Sequence, residues 1–443
     1  MKITKSSIKI ATISSLSGFQ FGYDTGVISG SFILIREHFN LDNIYQEIII
    51  SVTVFFAAIF SVIGGILSDS FGRKKILLIS SLLFGIGSVI LGVSISKYGL
   101  IIGRSIIGIA LGISSMAAPI FISECSPEKI RNQIVILNTV SITFGQFVAS
   151  LVDYFFYDLE NGWRYMLSLV AIPSFCQTIG LFFLPESPRW LIMKNQHDSA
   201  RKALTFIYKN YENENDIVEN EFKQIKDSLE SFHADFTESN SALDNDTSTI
   251  SRSPETFYNL KKVFASSFLV KGIIATCGLQ LIQQLGGINT IMYYGATIIS
   301  MTGIIHDENQ RYTVLLASGI AATNFIFSTI GLFIVPKFRR KTLLYLSLSM
   351  ITMSLMILGT GFKIIGDNSC QVTYHENYTR FSNKELAHFC DSKLDCDACV
   401  QTGLCGFCYI YHDGKAFNGS CSPVSRPFAK TSAIGRCSSI VST

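Results

Sequence analysis

Charge is what this 443-residue chain has least of. Asp, Glu, Lys and Arg together make up 16% of it, against about 25% in an ordinary soluble domain. Proline is scarce as well, with 9 residues. These deficits exclude a disordered, collagen-like or coiled-coil chain. The net charge of +3 comes without a basic tail, so nucleic acid is not an expected partner. Histidine is absent from every long apolar stretch: His38, His197, His233, His306, His375, His388 and His412 all fall in polar segments. A histidine proton relay through apolar helices is thereby excluded. A cleavable leader is not read either. The first apolar stretch runs too long, lacks a small-x-small cleavage pattern and carries Asp24.

What is there is apolar: 48% hydrophobic residues and 33 glycines, with a mean hydropathy of +0.36. A hydrocarbon core about 30 Å thick needs roughly 20 apolar residues per helix. Nine stretches meet that length: 10–35 (interrupted), 48–67, 76–95, 100–122, 134–154, 164–184, 269–290, 312–335 and 343–365. The fold expected is therefore an all-α membrane protein. Short-loop charge sets its orientation. One side holds Lys2, Lys5, Lys9, Arg73, Lys74, Lys75, Lys129, Arg131, Lys337, Arg339, Arg340 and Lys341; the other holds Arg36, Lys97, Arg164 and Arg311. The N-terminus is expected in the cytoplasm and the tail after nine spans outside. Cysteine agrees, since eight of the 11 lie between Cys370 and Cys437, which suits an oxidising compartment.

Four regions follow. Residues 1–184 read as a six-helix bundle, and 185–268 as a cytoplasmic linker with short amphipathic helices around 199–232 and a disordered part at 234–255. Residues 269–365 supply three further helices, and 366–443 form a cysteine-rich extracellular module. The loop Asp69–Lys75 after the second span resembles the loop Pro336–Lys341 after the eighth. Six spans separate the two, as in two parallel six-helix repeats of which the second stops after its third helix.

Charges within spans are functional candidates by default. Asp24 sits between Gly22 and Gly26, and Arg104 follows Gly103 in the fourth span. An acid facing an arginine makes a plausible proton switch, or else a static ion pair that orients helices. The seventh span is rich in amides and phenols, with Gln280, Gln283, Gln284, Asn289, Tyr293 and Tyr294 around Gly286-Gly287, which permits a break. Neutral groups that both donate and accept suit an uncharged, polyhydroxylated ligand; interhelical amide contacts are the alternative. Gln146 and Asn324 are lone polar groups divided evenly between those two roles. In the tail, Cys396-x2-Cys399 and Cys405-x2-Cys408 leave zinc open. The even set Cys370, Cys390, Cys396, Cys399, Cys405, Cys408, Cys421 and Cys437 reads better as four disulfides, whose connectivity spacing does not give. Asn377 and Asn418 head outer-side glycosylation sequons, and Asn245 heads one expected inside and bare.

Residues 10–365 resemble the sugar porter branch of the major facilitator superfamily. The motifs are Gly22-Tyr23-Asp24-Thr25-Gly26, Asp69-x2-Gly72-Arg73-Lys74, Gly103-Arg104, Pro119-x-Phe121-x2-Glu124, Trp163-Arg164, the run Pro185 to Leu191, and Gln283-Gln284-x2-Gly287-Ile288-Asn289-x3-Tyr293-Tyr294. Within that branch the chain looks most like the proton–myo-inositol cotransporters, and its tail is similar to a plexin–semaphorin–integrin cysteine module. The resemblance implies that Phe21, Gln146, Gln283, Gln284, Asn289, Tyr293 and Asn324 contact a sugar or cyclitol, and that Asp24 and Arg104 form the proton-coupled pair. Asp69, Arg73, Glu124, Arg131, Glu186 and Arg189 would belong to a cytoplasmic salt-bridge lock. Phe121 replaces a tyrosine, Asn132 and Gly286 also depart from the pattern, and Pro336 and Arg339 stand where an acid and a glycine are usual. Helices ten to twelve of the family are expected to be missing.

The expected function is secondary transport of a neutral polyol, myo-inositol or a hexose, by alternating access with proton symport in the plasma membrane. The alternatives are a facilitative hexose transporter or a truncated, non-transporting protein that displays the cysteine module. An enzyme is not expected, for no nucleophile–base set occurs in the spans, and no cofactor or metal is expected. The partners are the polyol, protons and the lipid bilayer.

Overall fold

The computed structural model describes residues 5–39, 41, 43–128, 130–209, 211, 214–241, 267–301, 310–367, 372–373, 384–393, 399, 405–412 and 415–423. The helices are α1 (Lys5–Phe39), α2 (Asn43–Phe71), α3 (Arg73–Val93), α4 (Lys97–Glu124), α5 (Arg131–Phe156), α6 (Gly162–Ser168), α7 (Ala171–Phe182), α8 (Pro188–Met193), α9 (His197–Tyr208), α10 (Glu214–Ser241), α11 (Ser267–Leu285), α12 (Ile288–Met301), α13 (Gln310–Ile334), α14 (Arg340–Asp367) and α15 (Lys384–Asp391). One hairpin follows, β1 (Cys405–His412) and β2 (Lys415–Pro423). The chain forms two compact units, 1–343 and 344–443, with the boundary inside α14.

All nine expected spans are helical. Among the described residues seven segments are long and apolar enough to cross a membrane: Ile44–Phe71, Arg73–Val93, Lys97–Glu124, Arg131–Phe156, Gly162–Phe182, Arg311–Ile334 and Lys341–Gly361. The two that fall short are the expected first and seventh spans. The first carries Gln20, Asp24 and a series of serines. The seventh is divided at Gly286-Gly287, where Gly287 adopts φ +79°, a conformation that glycine reaches without a Cβ penalty.

The expected interruption of the first span is absent, and α1 runs unbroken for 35 residues. Gly18, Gly22, Gly26 and Gly30 recur every four residues and so share one face. A Cβ on them would strike Asn138, Ile142, Gln146 and Asp153 of α5. These glycines let two helices meet; they do not break one. Besides the seventh, the sixth span is divided, between α6 and α7. Pro173, third residue of α7, has no N–H to offer the Leu169 carbonyl four residues back. In the linker, α9 and α10 supply the expected helices. However, α10 extends to Ser241, so 234–241 is helical where disorder was expected; 242–255 and the Asn245 sequon lie outside the described residues.

Two large apolar clusters organise the first unit, beside a small one of Ala11, Ile122, Ile130 and Ile134. One gathers Ile10, Leu77, Phe121, Leu181, Trp190, Leu204 and Phe222, tying α8–α10 onto the ends of α1, α3, α4 and α7. The other joins Tyr23, Ile28, Phe84, Leu100, Trp163 and Met166. Large apolar side chains such as Phe55, Val62 and Ile66 of α2 face outward, as a lipid-facing surface requires.

In the second unit β1 and β2 pair antiparallel, with Cys408 opposite Ser420. Disulfides join Cys390 to Cys405 and Cys399 to Cys421, and Cys408 is disulfide-bonded too. Cys370, Cys396, Cys437 and Asn377 lie outside the described residues. Asn418 is described only as backbone in β2.

Candidate functional site

A lone charge buried among helices is too costly to leave unneutralised. Asp24 of α1 and Arg104 of α4 solve that problem together. Arg104 Nη1 lies 2.5 Å from Asp24 Oδ1, with the side chains 1% and 3% exposed. Arg104 Nε donates to the Ile49 carbonyl of α2 at 3.4 Å, and Thr53 Oγ donates to the Arg104 carbonyl at 3.2 Å. Asp24 Oδ2 and Arg104 Nη2 have no hydrogen-bond partner among the described residues. The pair is thus joined by one contact where a bidentate fork would make two.

Beside this pair a line of neutral groups crosses from α13 to α1. Asn324 Nδ2 donates to Gln146 Oε1 at 3.0 Å, Gln146 Nε2 donates to Thr25 Oγ at 3.1 Å, and Thr25 Oγ donates to the Gly22 carbonyl at 2.8 Å. Phe325 stacks against Phe147 at 6.0 Å and tilts on Phe144 at 5.2 Å, closing the α5–α13 contact. On α12, the Ala296 N–H donates to Ser29 Oγ at 3.0 Å, and the Tyr294 hydroxyl donates to Glu47 at 2.8 Å. Tyr293 is within electrostatic reach of Asp24 and Arg104. Phe21 and Tyr293 both pack against the core cluster around Tyr23.

The amides of the broken seventh span are placed differently. Gln283, Gln284 and Asn289 are exposed. Asn289 Nδ2 donates to Gln284 Oε1 across the Gly286-Gly287 break at 2.7 Å. No hydrogen bond between described residues joins these three to Gln146 or Asn324. The expected substrate-contacting residues therefore form two groups in this structure.

At the end of the bundle where α2 gives way to α3, an ion-pair cluster is assembled. Arg73 lies 3.1 Å from Asp69 and 3.0 Å from Glu124. Glu124 accepts from the Ser187 hydroxyl at 2.5 Å. Glu186 accepts from the backbone N–H groups of Lys74 at 2.9 Å and Ser187 at 3.0 Å. Trp190 Nε1 donates to the Asp69 carbonyl at 2.9 Å. Gly72, at φ +103°, admits this arrangement, for a Cβ there would meet Glu186 and Trp190. Arg131 and Arg189 stand apart from the cluster. Arg131 is half-buried at the start of α5 near Tyr208, and Arg189 is exposed. The six expected lock residues thus divide into four that meet and two that do not.

Sequence reasoning passes over several participants. Thr25 and Ser187 are hydroxyls, common in any helix or loop, and nothing in their spacing marks them. Gln20 and Gln177 pair at 2.8 Å, and Gln177 reaches Ser17 at 2.5 Å, inside the six-helix bundle. Asp153 is a second fully buried carboxylate, on α5, and its signal was available: an acid inside an expected span.

A family profile described as "Sugar (and other) transporter" matches residues 10–374. A human protein named proton myo-inositol cotransporter is 38% identical over 429 residues, covering 97% of this chain and 62% of that one. A probable inositol transporter 2 of Arabidopsis thaliana is 33% identical, over 94% of this chain and 68% of its own length. Among solved structures, the proton:xylose symporter XylE bound to 6-bromo-6-deoxy-D-glucose superposes with a TM-score of 0.63 at 27% identity, covering 77% of this chain and 72% of that one. The chain therefore spans less than two thirds of the human relative's length.

Proposed function

This chain belongs to the sugar transporter family of the major facilitator superfamily and is an integral multi-pass membrane protein; on that premise, we propose that the protein it represents moves a neutral polyol of the myo-inositol class together with a proton. The single observation that carries the reading is the sealed contact of Asp24 with Arg104, 2.5 Å apart and shielded from water.

A carboxylate in that position is stable only while the guanidinium faces it. When a proton binds Asp24 the attraction is lost, and Arg104 is free to turn toward the carbonyls around it, of which Ile49 is already in contact. The α1–α4 contact then has two arrangements selected by one proton, which is what coupling requires. The polyol would take its donors and acceptors from both groups: Gln146 and Asn324 from one, Gln283, Gln284 and Asn289 from the other. Neutral amides match hydroxyls, which donate and accept, and no cation stands among them to favour an anion. Phe21 and Tyr293 supply apolar faces for the ring. The Arg73–Glu124–Asp69 cluster with Glu186 holds the ends of α2, α3 and α4 against the Pro185–Trp190 segment, and it would open when the cavity faces the cytoplasm.

This reading carries an orientation, with the N-terminus and the ion-pair cluster on the cytoplasmic side and the disulfide-bonded, glycosylated tail outside, at the plasma membrane. Uptake of labelled myo-inositol by the full-length protein in proteoliposomes tests it. With an inwardly directed proton gradient, substrate should accumulate above its outer concentration. Equilibration without accumulation would mean a facilitator, and no uptake at all would mean a protein that does not transport.

A further inference from the structure

The α5 face that presents Gln146 continues through Ser150 to Asp153, at spacings of four and three residues that keep one side of a helix, and all three are buried. Asp153 is 1% exposed. Its Oδ2 accepts the Gly30 N–H at 3.1 Å, and its Oδ1 has no hydrogen-bond partner among the described residues. Charged or titratable groups on neighbouring elements have other partners. From α1, Tyr23 lies within electrostatic reach, but its hydroxyl donates to the Met166 carbonyl of α6 at 2.8 Å. From α13, Arg311 pairs with Asp158 at 2.7 Å and covers the Tyr154 ring. From α6, Arg164 donates to the Gly92 carbonyl at 2.9 Å and covers Trp163. From α4, Arg104 is held by Asp24. No cation pairs with Asp153 among the described residues.

An anion with one N–H donor and no counter-charge is far costlier in such a place than a neutral acid. We propose that Asp153 is a second proton-binding site of the transporter, occupied by a proton whenever α1 and α5 are closed around Gly30. The inference rests on the proton-coupled reading above and adds to it a carboxyl distinct from the one that Arg104 neutralises. The chemistry is simple protonation: an O–H bond forms on Asp153 with a proton taken from water, and no electrons move. The position gives the site a consequence. Gly30 follows Asp24 by six residues, about 9 Å along α1, and the carboxyl fills the space where a Gly30 Cβ would stand. Loss of the proton would put an uncompensated charge in the tight α1–α5 contact at Gly30 and push the two apart. That motion would reach Thr25 and Gln146 on the same two helices.

The test is infrared spectroscopy of the purified full-length protein, following the C=O stretch of protonated carboxyl groups in an apolar environment. In Asp24→Asn this band should persist at neutral pH, and adding Asp153→Asn should remove it. If Asp24→Asn already lacks the band, the proposal is overturned, whether or not the double variant folds; a band that survives in the double variant overturns it as well. Uptake against pH is the second readout. Asp153→Asn resembles the neutral acid, so it should retain substrate exchange but lose one step of the wild-type pH profile. An unchanged profile would remove Asp153 from the transport cycle. Wild-type uptake that ignores pH would sink the proton-coupled reading instead, and the infrared comparison would still decide whether Asp153 holds a proton.

Discussion

Asp24 and Arg104 are sealed between α1 and α4 in a single short contact, whereas Gln283, Gln284 and Asn289 stand exposed on α11 and α12 with one bond among them. On the proposed function the two regions meet different demands. A proton switch needs a low-dielectric setting in which the charged and neutral forms of an acid differ strongly in energy. A polyol site needs amides whose hydrogen bonds are still available to be exchanged for the ligand's. The same contrast divides the two repeated loops. Asp69–Lys75 is knitted to Glu124 and Glu186 by ion pairs and backbone N–H groups, while Lys337, Arg339 and Lys341 are exposed and form no ion pair among the described residues.

The most damaging way to break the contrast is to leave one sealed charge alone. Arg104→Leu strands Asp24 and should cost about 3–5 kcal/mol, read as a large fall in thermal stability of the purified protein. Combining it with Asp24→Asn should restore most of the loss. Wild-type stability in Arg104→Leu would mean that the two charges do not depend on each other.

Next in size is the ion-pair cluster. Arg73→Ala removes the contacts to Asp69 and Glu124 and should weaken the closed end by about 1–3 kcal/mol. Cys125, directly after Glu124, reports on it. Burial, and then the charges of Glu124 and Glu186, push its thiol well above the usual range, so maleimide labelling should be slow in the wild-type protein at neutral pH. Labelling should quicken at least about fivefold in Arg73→Ala, since each 1.4 kcal/mol is a factor of ten. Equal rates would show that the cluster does not hold this end shut.

The exposed amides should show smaller effects on affinity and none on folding. Gln284→Ala and Asn289→Ala should each weaken apparent myo-inositol affinity by about 1 kcal/mol, with thermal stability unchanged. Unchanged affinity in both would remove α11 and α12 from the site. Smallest of all is the surface pair Arg201–Glu219, 3.1 Å apart on α9 and α10. The Arg201 hydrogen bond holds the Glu219 carboxyl below its ordinary range. Its contribution is therefore present above the unfolded value, about 4.3, and fades as pH falls below that. Arg201→Ala should leave no measurable change in melting temperature at neutral pH, and a clear drop would mean that this exposed pair carries more than solvent-screened charges usually do.

Much of this was legible in the chain itself. Asp24 and Arg104 stood out as charges in apolar stretches, and Gly286-Gly287 marked a break because glycine alone takes that backbone turn freely. Other features could not be read without the partner helix. Gly18, Gly22, Gly26 and Gly30 look alike whether they break a helix or admit a neighbour, and only the contact with α5 tells which. Asp153 lies inside the expected fifth span, and its sequence position alone does not show that it meets Gly30 of α1. Arg131 and Arg189 were placed in the lock by resemblance, but in the structure Ser187 and the Lys74 backbone take up the bonds to Glu124 and Glu186. The hydroxyl of Thr25 became significant only once Gln146 was seen to reach it.

The central claim is that one proton on Asp24 decides whether Arg104 is held. Asp24→Asn imitates the protonated acid with almost no change of shape. Reconstituted in the full-length protein and supplied with labelled myo-inositol and an acidic outer medium, it should lose accumulation against a gradient while retaining exchange down one. Continued concentrative uptake by Asp24→Asn under that same proton gradient would contradict the account.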